Sequence, residues 1–431
     1  MLHIGIDDTD SLDGGCTTWL ITEIISELSD LDLIAPPRLV RLNPNVPWKT
    51  RGNGALALVF GKGIGSKKKI GSLEDSEISI YPNYKDRRFD KKDILERVVK
   101  IVKANSKQDS QPGIVISDTY LPEGLYWQGV RSLVMQEDLE PILSNCLTFG
   151  MRGSRGLIGA ACALAWSGYY SKVGELNFTW ELIGYREKSM WGTLRDISSE
   201  SVSKVSELKE VFSCNDQDGK VAMVPNSPCP VLWGFRGTND KILIDNFHKL
   251  GPEKPSRWLL YQTNQATDDH FCISDILDIT DFTSVWVDVS VSSKAEIIKG
   301  GHRFFRVKDS EGNEVKCAVF EPSKNLRAVV DKLEVGDEIT VCGSISESTV
   351  NIEKLKIINL VPRYSKPPNP VCVCGKRTHS SGKNSKYRCK SCGKKYDRPV
   401  LIPKPPNLDL NWFEPPASSR RHLTKPIDLM R

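Results

Sequence analysis

Three aspartates within four residues, Asp7, Asp8 and Asp10, carry the clearest chemical signal in this sequence. They follow the short apolar run LHIGI (2–6), which has the composition of a buried strand. Carboxylates this close repel one another when ionised, and a hard cation such as Mg²⁺, shared with phosphate oxygens, relieves that repulsion. The segment predicts a site for Mg²⁺ and a polyphosphate. A polar turn with an Asp or Thr helix cap is the alternative.

The run GGCTT (14–18) follows the aspartates and opens a predicted helix. Its glycines allow the backbone to approach a ligand closely, and the start of a helix offers free N–H groups to an anion. The hydroxyls of Thr17 and Thr18 are placed to cap the helix or to accept a phosphoryl group. No Gly-Lys-Ser/Thr follows the glycines, so this is not a Walker A motif. We expect the phosphates of a nucleotide to be bound by Gly5, Asp7, Asp8, Ser11, Gly14, Gly15 and Thr17.

A second glycine-rich element, GMRGSRGLIGA (150–160), opens an alanine-rich segment. Arg152 and Arg155 within it are expected to neutralise the same polyphosphate. A turn that packs a helix tightly against its neighbours explains the glycines equally well.

Four of the twelve cysteines crowd into one short segment, as Cys372-x-Cys374 and Cys389-x-x-Cys392. Two such pairs can place four thiolates tetrahedrally around Zn²⁺, and a segment this small needs a metal to fold. The first pair is C-x-C rather than the commoner C-x-x-C, which leaves His379 as a substitute ligand. The other eight cysteines are scattered, which is typical of small buried hydrophobes.

Charge divides the chain into two parts. From 361 to 431 there are sixteen Lys and Arg against four Asp and Glu, a net of +12, which leaves −7 for the rest of a chain of net +5. A basic end on an acidic body favours a polyanion such as RNA at the C-terminal part, with a solubilising tail as the alternative. The sequence offers no long apolar run and no signal peptide, so we expect a cytoplasmic protein without membrane contact.

Periodicity predicts the elements that carry these residues. The first part alternates strands and helices, so we expect an α/β domain with the aspartates at the carboxyl end of a parallel strand. The predicted helices are 17–28, 91–103 and 157–168, the predicted strands are 2–6, 55–60 and 113–117, and 61–73 is predicted as an exposed loop.

The remainder divides into smaller units. The order β-α-β-β-α-β follows, with strands at 178–186, around 221–236 and at 257–262, and helices at 199–212 and 239–250. Five short strands near 284–291, 302–309, 314–321, 337–344 and 350–358 then indicate a small barrel of OB type, or else a β-sandwich. Pro-rich linkers at 365–370 and 403–407 bracket the cysteine cluster.

Strings along nearly the whole chain resemble one family, the archaeal tRNA 2-agmatinylcytidine synthetases, or TiaS family. The strings are GIDDTDSLDGGCTT (5–18), RGLIGA (155–160), CPVLWGFRG (229–237), QTNQATDDH (262–270), GGHRFF (300–305), FEPSK (320–324) followed by Arg327, and EPPASSRRHLTKP (414–426). The resemblance implies a kinase-like ATP-binding α/β domain at 1–175, a ferredoxin-like domain at 176–264, an OB-fold at 275–362, a zinc ribbon at 370–398 and a basic tail at 399–431. Segment 61–112 fits either of the first two domains.

The same resemblance implies an enzyme that uses ATP to activate the wobble cytidine of an isoleucine tRNA with a CAU anticodon. Agmatine then replaces the oxygen at position 2 of the base, so that AUA is read as isoleucine. It implies catalytic roles for Asp7, Asp8, Asp10 and Thr18, the last as phosphate acceptor or phosphate ligand, with ATP, Mg²⁺ and Zn²⁺ as cofactors and no protein partner. Another ATP-dependent RNA modification and a non-catalytic RNA-binding protein are the competing interpretations.

Overall fold

The computed structural model describes residues 1–11, 14–50, 52–74, 76–168, 178–216, 218–382 and 386–430. The predicted boundary between the first two domains, at 175/176, lies outside these residues. No helix in these ranges is both long enough and apolar enough to cross a bilayer.

The N-terminal unit places strand β1 at the centre of a mixed sheet. Its strands are β1 Leu2–Asp7, β2 Asp32–Leu33, β3 Arg38–Arg41, β4 Gly54–Ile64, β5 Lys68–Leu73, β6 Ser76–Ile80, β7 Asn83–Lys85, β8 Gly113–Ser117 and β9 Leu147–Gly150. Its helices are α1 Thr17–Glu27, α2 Lys91–Asn105, α3 Glu123–Arg131, α4 Glu140–Leu143 and α5 Gly156–Ala165. Both neighbours of β1, β4 and β8, run antiparallel to it. The expectation of a parallel sheet at the aspartates is therefore wrong, because short apolar runs do not disclose the direction of their partners.

The stretch 61–73, predicted as an exposed loop, is mostly strand. β4 continues to Ile64, and β5 forms a hairpin with β6 while also pairing with a strand of the next unit. Ile70, Ile78 and Ile80 are buried and anchor this hairpin. Lys and Gly residues between the few apolar positions concealed the strand pattern.

The second unit has the predicted element order. It contains β10 Thr179–Tyr185, α6 Ser199–Ser206, β11 Val211–Phe212, β12 Val231–Gly237, α7 Asp240–Asn246 and β13 Arg257–Thr263. Both helices are shorter than predicted, because β11 follows the first and a 3₁₀ turn, Phe247–Lys249, follows the second. The strands lie in the order β11-β12-β10-β13, all antiparallel. β13 pairs in parallel with β3, so the two units share one 13-stranded sheet.

The third unit is a closed barrel of five strands. Its elements are β14 Cys272–Ile273, β15 Ser284–Val291, β16 Glu296–Ile297, β17 Arg303–Lys308, β18 Glu314–Val319, α8 Asn325–Val330, β19 Glu338–Ser346 and β20 Thr349–Asn359. Pairing runs β15-β19-β20-β18-β17, and β17 returns to β15 through Ser290 and Lys308. The five predicted strands are confirmed, and closure excludes the sandwich.

After the barrel, the chain forms a small separate sheet and then returns to pair with the barrel. β21 Arg363–Ser365 pairs with β25 Ile402–Lys404, and a small sheet of β22 His379–Ser380, β23 Tyr387–Arg388 and β24 Lys395–Tyr396 lies between them in sequence. β26 Trp412–Phe413 then pairs with β20 of the barrel. The C-terminal residues are thereby returned to the body of the protein.

Helix α5 fixes the position of the first aspartate. It starts one residue earlier than predicted and ends at Ala165 rather than 168. A Cβ at Gly159 would lie 1.8 Å from Oδ2 of Asp7, and one at Gly5 would lie 2.3 Å from the carbonyl oxygen of Ala160. Only glycine permits this approach of α5 to β1, so the glycines place the helix directly against the Asp7 carboxyl group.

Candidate active site

A cavity of about 410 Å³ lies where the first unit, the second unit and residues 417–424 meet. Its charged and polar lining includes Asp7, Asp8, Asp10, Thr17, Thr18, Arg41, Lys49, Arg155, Glu181, Arg236, Gln265, Arg420, Arg421 and His422. The aspartates and threonines enter from the first unit, and several of the cations come from distant parts of the sequence. The cavity therefore combines an acidic group with several guanidinium groups, which suits a metal-bound polyphosphate.

Asp7 and Asp8 lie where β1 gives way to a turn. Asp8 has a left-handed backbone with φ +55°, and its Oδ2 accepts a hydrogen bond from the backbone N–H of Gln111 at 3.3 Å. Burial and the charge of Asp8 raise the pKa of Asp7 well above its usual range, and burial and the charge of Asp10 raise the pKa of Asp8. Ionising both carboxyl groups in these surroundings therefore costs free energy. A bound cation removes this cost.

The three aspartates do not converge as a complete ligand set. In the described part of the chain, the one group of three or more potential ligands whose donor atoms lie within 4.8 Å of one another is the cysteine cluster. Mg²⁺ commonly takes only one or two carboxylates, with phosphate oxygens and water completing its shell. The geometry fits that arrangement, in which phosphate is needed to complete the site.

The threonines are positioned by the start of α1 and by the second unit. The Thr17 hydroxyl accepts a hydrogen bond from that of Thr9 at 3.1 Å, while the Thr18 hydroxyl lies 3.0 Å from Sγ of Cys16. The Thr18 carbonyl accepts a hydrogen bond from the Tyr261 hydroxyl at 2.8 Å. Tyr261 lies in β13, so the second unit holds the backbone that carries Thr18.

Ser11 and the predicted glycines Gly5, Gly14 and Gly15 do not line the cavity. They support the segment that carries the aspartates and threonines. Gly5 lies in β1 beneath α5, as described above. Ser11 and Gly14 exchange backbone hydrogen bonds of 2.9 and 3.4 Å, which closes the turn between the aspartates and α1. Gly15 has φ +75°, and a Cβ there would lie 3.4 Å from the Cα of Asp10.

The two predicted arginines have different places. Arg155 lines the cavity, with its guanidinium 4.9 Å from the ring centroid of Trp48, and its charge opposes the rise in the pKa of Asp8. Arg152 does not line it. Its Nε donates to the carbonyl of Ser110 at 2.7 Å and its Nη2 to the Ser106 hydroxyl at 3.1 Å, so it ties down the loop after α2.

The cations contributed by β3 and β12 of the shared sheet were not predicted. Glu181 in β10 is buried between Arg236 at 2.9 Å and Arg41 at 3.6 Å, and Gln265 also donates to it. Burial opposes ionisation of Glu181, but the two guanidiniums outweigh it and hold its pKa below the usual range. Arg236 lies within the string CPVLWGFRG, whereas Arg41 lies in β3, a strand that the sequence pattern did not disclose.

Residues 412–429, which we call the C-terminal strap, supply the last wall. Backbone N–H groups of Ala266 and Asp268 donate to the carbonyls of His422 and Leu423, both at 2.9 Å. Arg420 donates to Glu414 at 2.6 Å and to the Ser213 hydroxyl at 3.0 Å, bridging the strap to the second unit. The charge of Arg41 and burial lower the pKa of His422 well below its usual range, so this imidazole is neutral at physiological pH.

The four predicted zinc ligands come together in the turns that flank the small C-terminal sheet. The sulfurs of Cys372, Cys374, Cys389 and Cys392 lie within 4.8 Å of one another, and His379 is not part of the group. The hydroxyl of Tyr396 donates to Sγ of Cys372 at 3.2 Å and accepts from the N–H of Val373 at 3.0 Å. Four converging thiols with such a supporting hydrogen bond fit Zn²⁺ in a closed structural site.

Family profiles match three successive parts of the chain. Residues 3–148 match the TiaS TCKD domain, 154–270 the TiaS FLD domain and 369–407 the TiaS C-terminal zinc ribbon domain. The isoleucine-tRNA 2-agmatinylcytidine synthetase TiaS of Methanocaldococcus jannaschii is 35% identical, over 100% of this chain and 99% of its own length. The chain belongs to the TiaS family.

Other TiaS proteins agree over the same extent. The synthetase of Thermococcus sibiricus is 36% identical over 99% of this chain and 96% of its own. A crystal structure described as a complex of TiaS with its isoleucine tRNA and ATP matches with a TM-score of 0.83 at 30% identity, covering 100% of this chain and 97% of that one. One described as a complex of TiaS with the same tRNA, AMPCPP and agmatine matches with a TM-score of 0.79 at 27% identity, with the same coverage. The whole fold, strap included, is thus that of TiaS.

Proposed function

We propose that this protein is an ATP-dependent ligase that joins agmatine to the wobble cytidine of the isoleucine tRNA with a CAU anticodon. The product is 2-agmatinylcytidine, which pairs with A, so the tRNA reads AUA as isoleucine. The observation that carries the proposal is the cavity, in which Asp7, Asp8 and Thr18 share one space with Arg155 and Arg236. Full-length similarity to TiaS synthetases, and to structures described with the isoleucine tRNA, ATP and agmatine, supports the same substrates.

The finer domain assignments belong to the same proposal. The first unit, 1–175, is the kinase-like domain, with 61–112 contributing β5 and β6 to the edge of the second. The antiparallel order β11-β12-β10-β13 supports a ferredoxin-like domain at 176–264. The closed five-stranded barrel, in which β18 and β20 pair in parallel, supports an OB-fold at 275–362. The zinc ribbon spans 370–398 and the basic tail 399–431.

Chemically, the oxygen at position 2 of cytosine is a poor leaving group until it carries a phosphoryl group from ATP. Arg155 and Arg236 are placed to balance negative charge on the transferred group, and Arg420 and Arg421 to bind the phosphates of the RNA. Thr18 serves as a phosphate acceptor or ligand beside the reacting oxygen. Gly5 lets α5 approach β1, Ser11, Gly14 and Gly15 shape the turn before α1, and Arg152 anchors the loop after α2.

Asp7 and Asp8 would hold Mg²⁺ together with the phosphates of ATP. Asp10 lines the same cavity. The raised pKa values of the two carboxyls fit this role, because the ion removes the repulsion that raises them. When bound, Mg²⁺ orients the polyphosphate and offsets charge that develops during transfer.

The decisive experiment is incubation of the protein with the tRNA, ATP and labelled agmatine, followed by nuclease mapping of the label. We expect the label at the first anticodon position, and only when ATP is present. A protein that binds the tRNA but never incorporates agmatine would contradict the proposal and favour a non-catalytic RNA-binding role. Incorporation of a labelled amine other than agmatine would favour a different ATP-dependent ligation reaction.

A further inference from the structure

Three rings, one exposed and two half-buried, cluster on the barrel. Phe320, which follows β18, lies 5.2 Å from the ring of His302 and 6.4 Å from that of Phe304, both edge to face. Phe320 as a whole residue remains 42% exposed. We call these three residues the aromatic platform. An exposed aromatic ring on a nucleic-acid-binding barrel is the kind of surface on which unpaired bases stack.

The platform is held rigidly from several sides. The backbone N–H of Glu321 donates to Nδ1 of His302 at 3.0 Å, which fixes the imidazole beside Phe320. Arg327 donates to the Glu321 carboxylate and to the Gly301 carbonyl, both at 3.1 Å. The Ser419 hydroxyl in the strap donates to the carbonyl of Pro322 at 3.0 Å. A ring fixed in this way loses little entropy when a base stacks on it.

Phe320 lines a second cavity, of about 450 Å³, which we call the passage. Among the residues that the structure describes, its charged lining consists of Arg41, Lys49, Arg420 and Arg421 against Glu353, a balance of four positive charges to one negative. Arg420 and Arg421 keep further N–H donors beyond those that contact their carboxylates. Burial and the charge of Arg421 lower the pKa of Lys49, so an added anion would stabilise its ammonium group. The passage is therefore suited to phosphate.

The passage and the active-site cavity share a wall. Arg41, Lys49, Arg420, Arg421 and His422 line both. A polymer that runs from the active-site cavity across this wall to the platform would place a backbone phosphate beside these cations. A single RNA strand has this combination of flat apolar bases and a charged backbone, whereas a peptide or a second copy of the chain does not.

We propose that the nucleotide next to the target cytidine stacks its base on Phe320, with the intervening phosphodiester held by Lys49, Arg420 and Arg421. The inference rests on the proposed function and adds a second contact point for its RNA. The platform acts as a positioning site, because it holds the strand that presents the target base. Stacking accepts any base, so it adds affinity and alignment rather than sequence choice.

The test uses the full-length protein and whole tRNA in which 2-aminopurine replaces the adenosine after the target cytidine, or the nucleotide before it. Stacking on Phe320 should change the fluorescence of one probe when wild-type protein binds. Phe320→Ala should abolish that change and raise the KM for tRNA about tenfold, while Phe320→Trp should restore both. Affinity for ATP should stay the same in all three proteins. Ile273→Ala is the control, since Ile273 is 91% exposed on the same barrel but does not line the passage.

Two results would overturn the inference. One is a wild-type protein that modifies tRNA while neither probe responds. The other is a Phe320→Ala protein that keeps its KM for tRNA but changes its sedimentation, which would make the platform a contact between copies of the chain. If wild-type protein fails to incorporate agmatine at all, the proposed function fails instead, and the two failures are distinguishable.

Discussion

At the scale of single residues, the buried aspartates dominate. Asp7 and Asp8 sit where burial and their neighbours' charges raise both pKa values, so the protein without nucleotide carries a local electrostatic cost. Stability and function are opposed at such a position, because the same crowded carboxylates create the site for a cation.

Replacing Asp8 by Asn should separate the two effects. The neutral amide removes the repulsion, so we expect the thermal midpoint of the nucleotide-free protein at neutral pH to rise by about 2–4 °C. Agmatine incorporation should fall by about a hundredfold or more, because a metal ligand is lost. Differential scanning fluorimetry and the labelling assay measure the two. Asp118→Asn is the control, since Asp118 is exposed and pairs with Lys91. If the Asp8→Asn protein incorporated agmatine at the normal rate, Asp8 would not be a metal ligand of the active site.

The raised pKa values also predict proton release on ligand binding. In the folded protein without nucleotide, Asp7 and Asp8 keep protons above the usual carboxyl range, so stability falls as pH rises through that window. Binding of Mg²⁺ and ATP should lower both pKa values and expel protons. Calorimetric titrations at about pH 6 in buffers of different ionisation enthalpy should show this release, and Asp7→Asn should diminish it. A binding enthalpy independent of the buffer would contradict the prediction.

At the scale of elements, a buried carboxylate of the barrel is one anchor of the strap. Glu353 in β20 accepts hydrogen bonds from the Thr424 hydroxyl at 2.5 Å and from Ser344, and it lies 3.1 Å from Nε2 of His270 and 3.4 Å from Nε of Arg421. Burial opposes its ionisation, but these partners hold its pKa at about 2. The stability it contributes is present above the ordinary carboxyl pKa of 4.5 and is lost as pH falls from there towards 2.

Glu353→Gln should loosen the strap while leaving the barrel folded. Loss of a buried ion-pair partner costs about 3 kcal/mol, so amide exchange at 420–425 should accelerate by about a hundredfold. Exchange in β15 and β19 should stay unchanged. Glu347→Gln, at an exposed turn of the same barrel, serves as the control. Equal exchange at 420–425 in both variants would show that other contacts hold the strap.

The zinc ribbon is an element that folds with its metal. Cys389→Ser should reduce zinc from one ion per chain to well below one and weaken tRNA binding, since the small sheet lacks a core of its own. Elemental analysis and a binding titration measure these effects. Cys272→Ser, outside the cluster, should change neither. A variant that keeps tRNA affinity without zinc would separate the ribbon from RNA binding.

The elements also show how far a sequence can be interpreted. The order of the second unit, the five barrel strands and the cysteine cluster were predictable, because alternation and spacing are local properties of the chain. The β5–β6 hairpin was not, since its few isoleucines are separated by Lys and Gly and its stability comes from pairing with β13. The contact between Arg41 and Glu181 could not be predicted either, because it depends on the parallel pairing of β3 with β13.

At the scale of the whole molecule, charge separates an acidic body from a basic C-terminal part, −7 against +12. The affinity for tRNA should therefore fall steeply with salt, by roughly a hundredfold between 50 and 200 mM if about four phosphates are contacted. The affinity for ATP should fall much less. Parallel titrations of both ligands over a series of salt concentrations check this. Identical salt dependence for tRNA and ATP would contradict an extended phosphate-binding surface.

The strap has a consequence for how the protein is made. Arg421 donates to the carbonyl of Pro44 at 3.0 Å across 377 positions of sequence, so the last wall of the cavity is synthesised long after the first. A polypeptide released before residue 417 contains the aspartates and threonines but lacks Arg420, Arg421 and His422. Such a fragment lacks one wall of the cavity and the two guanidinium groups that this wall contributes. We therefore expect agmatine transfer only from molecules whose translation has run past the strap.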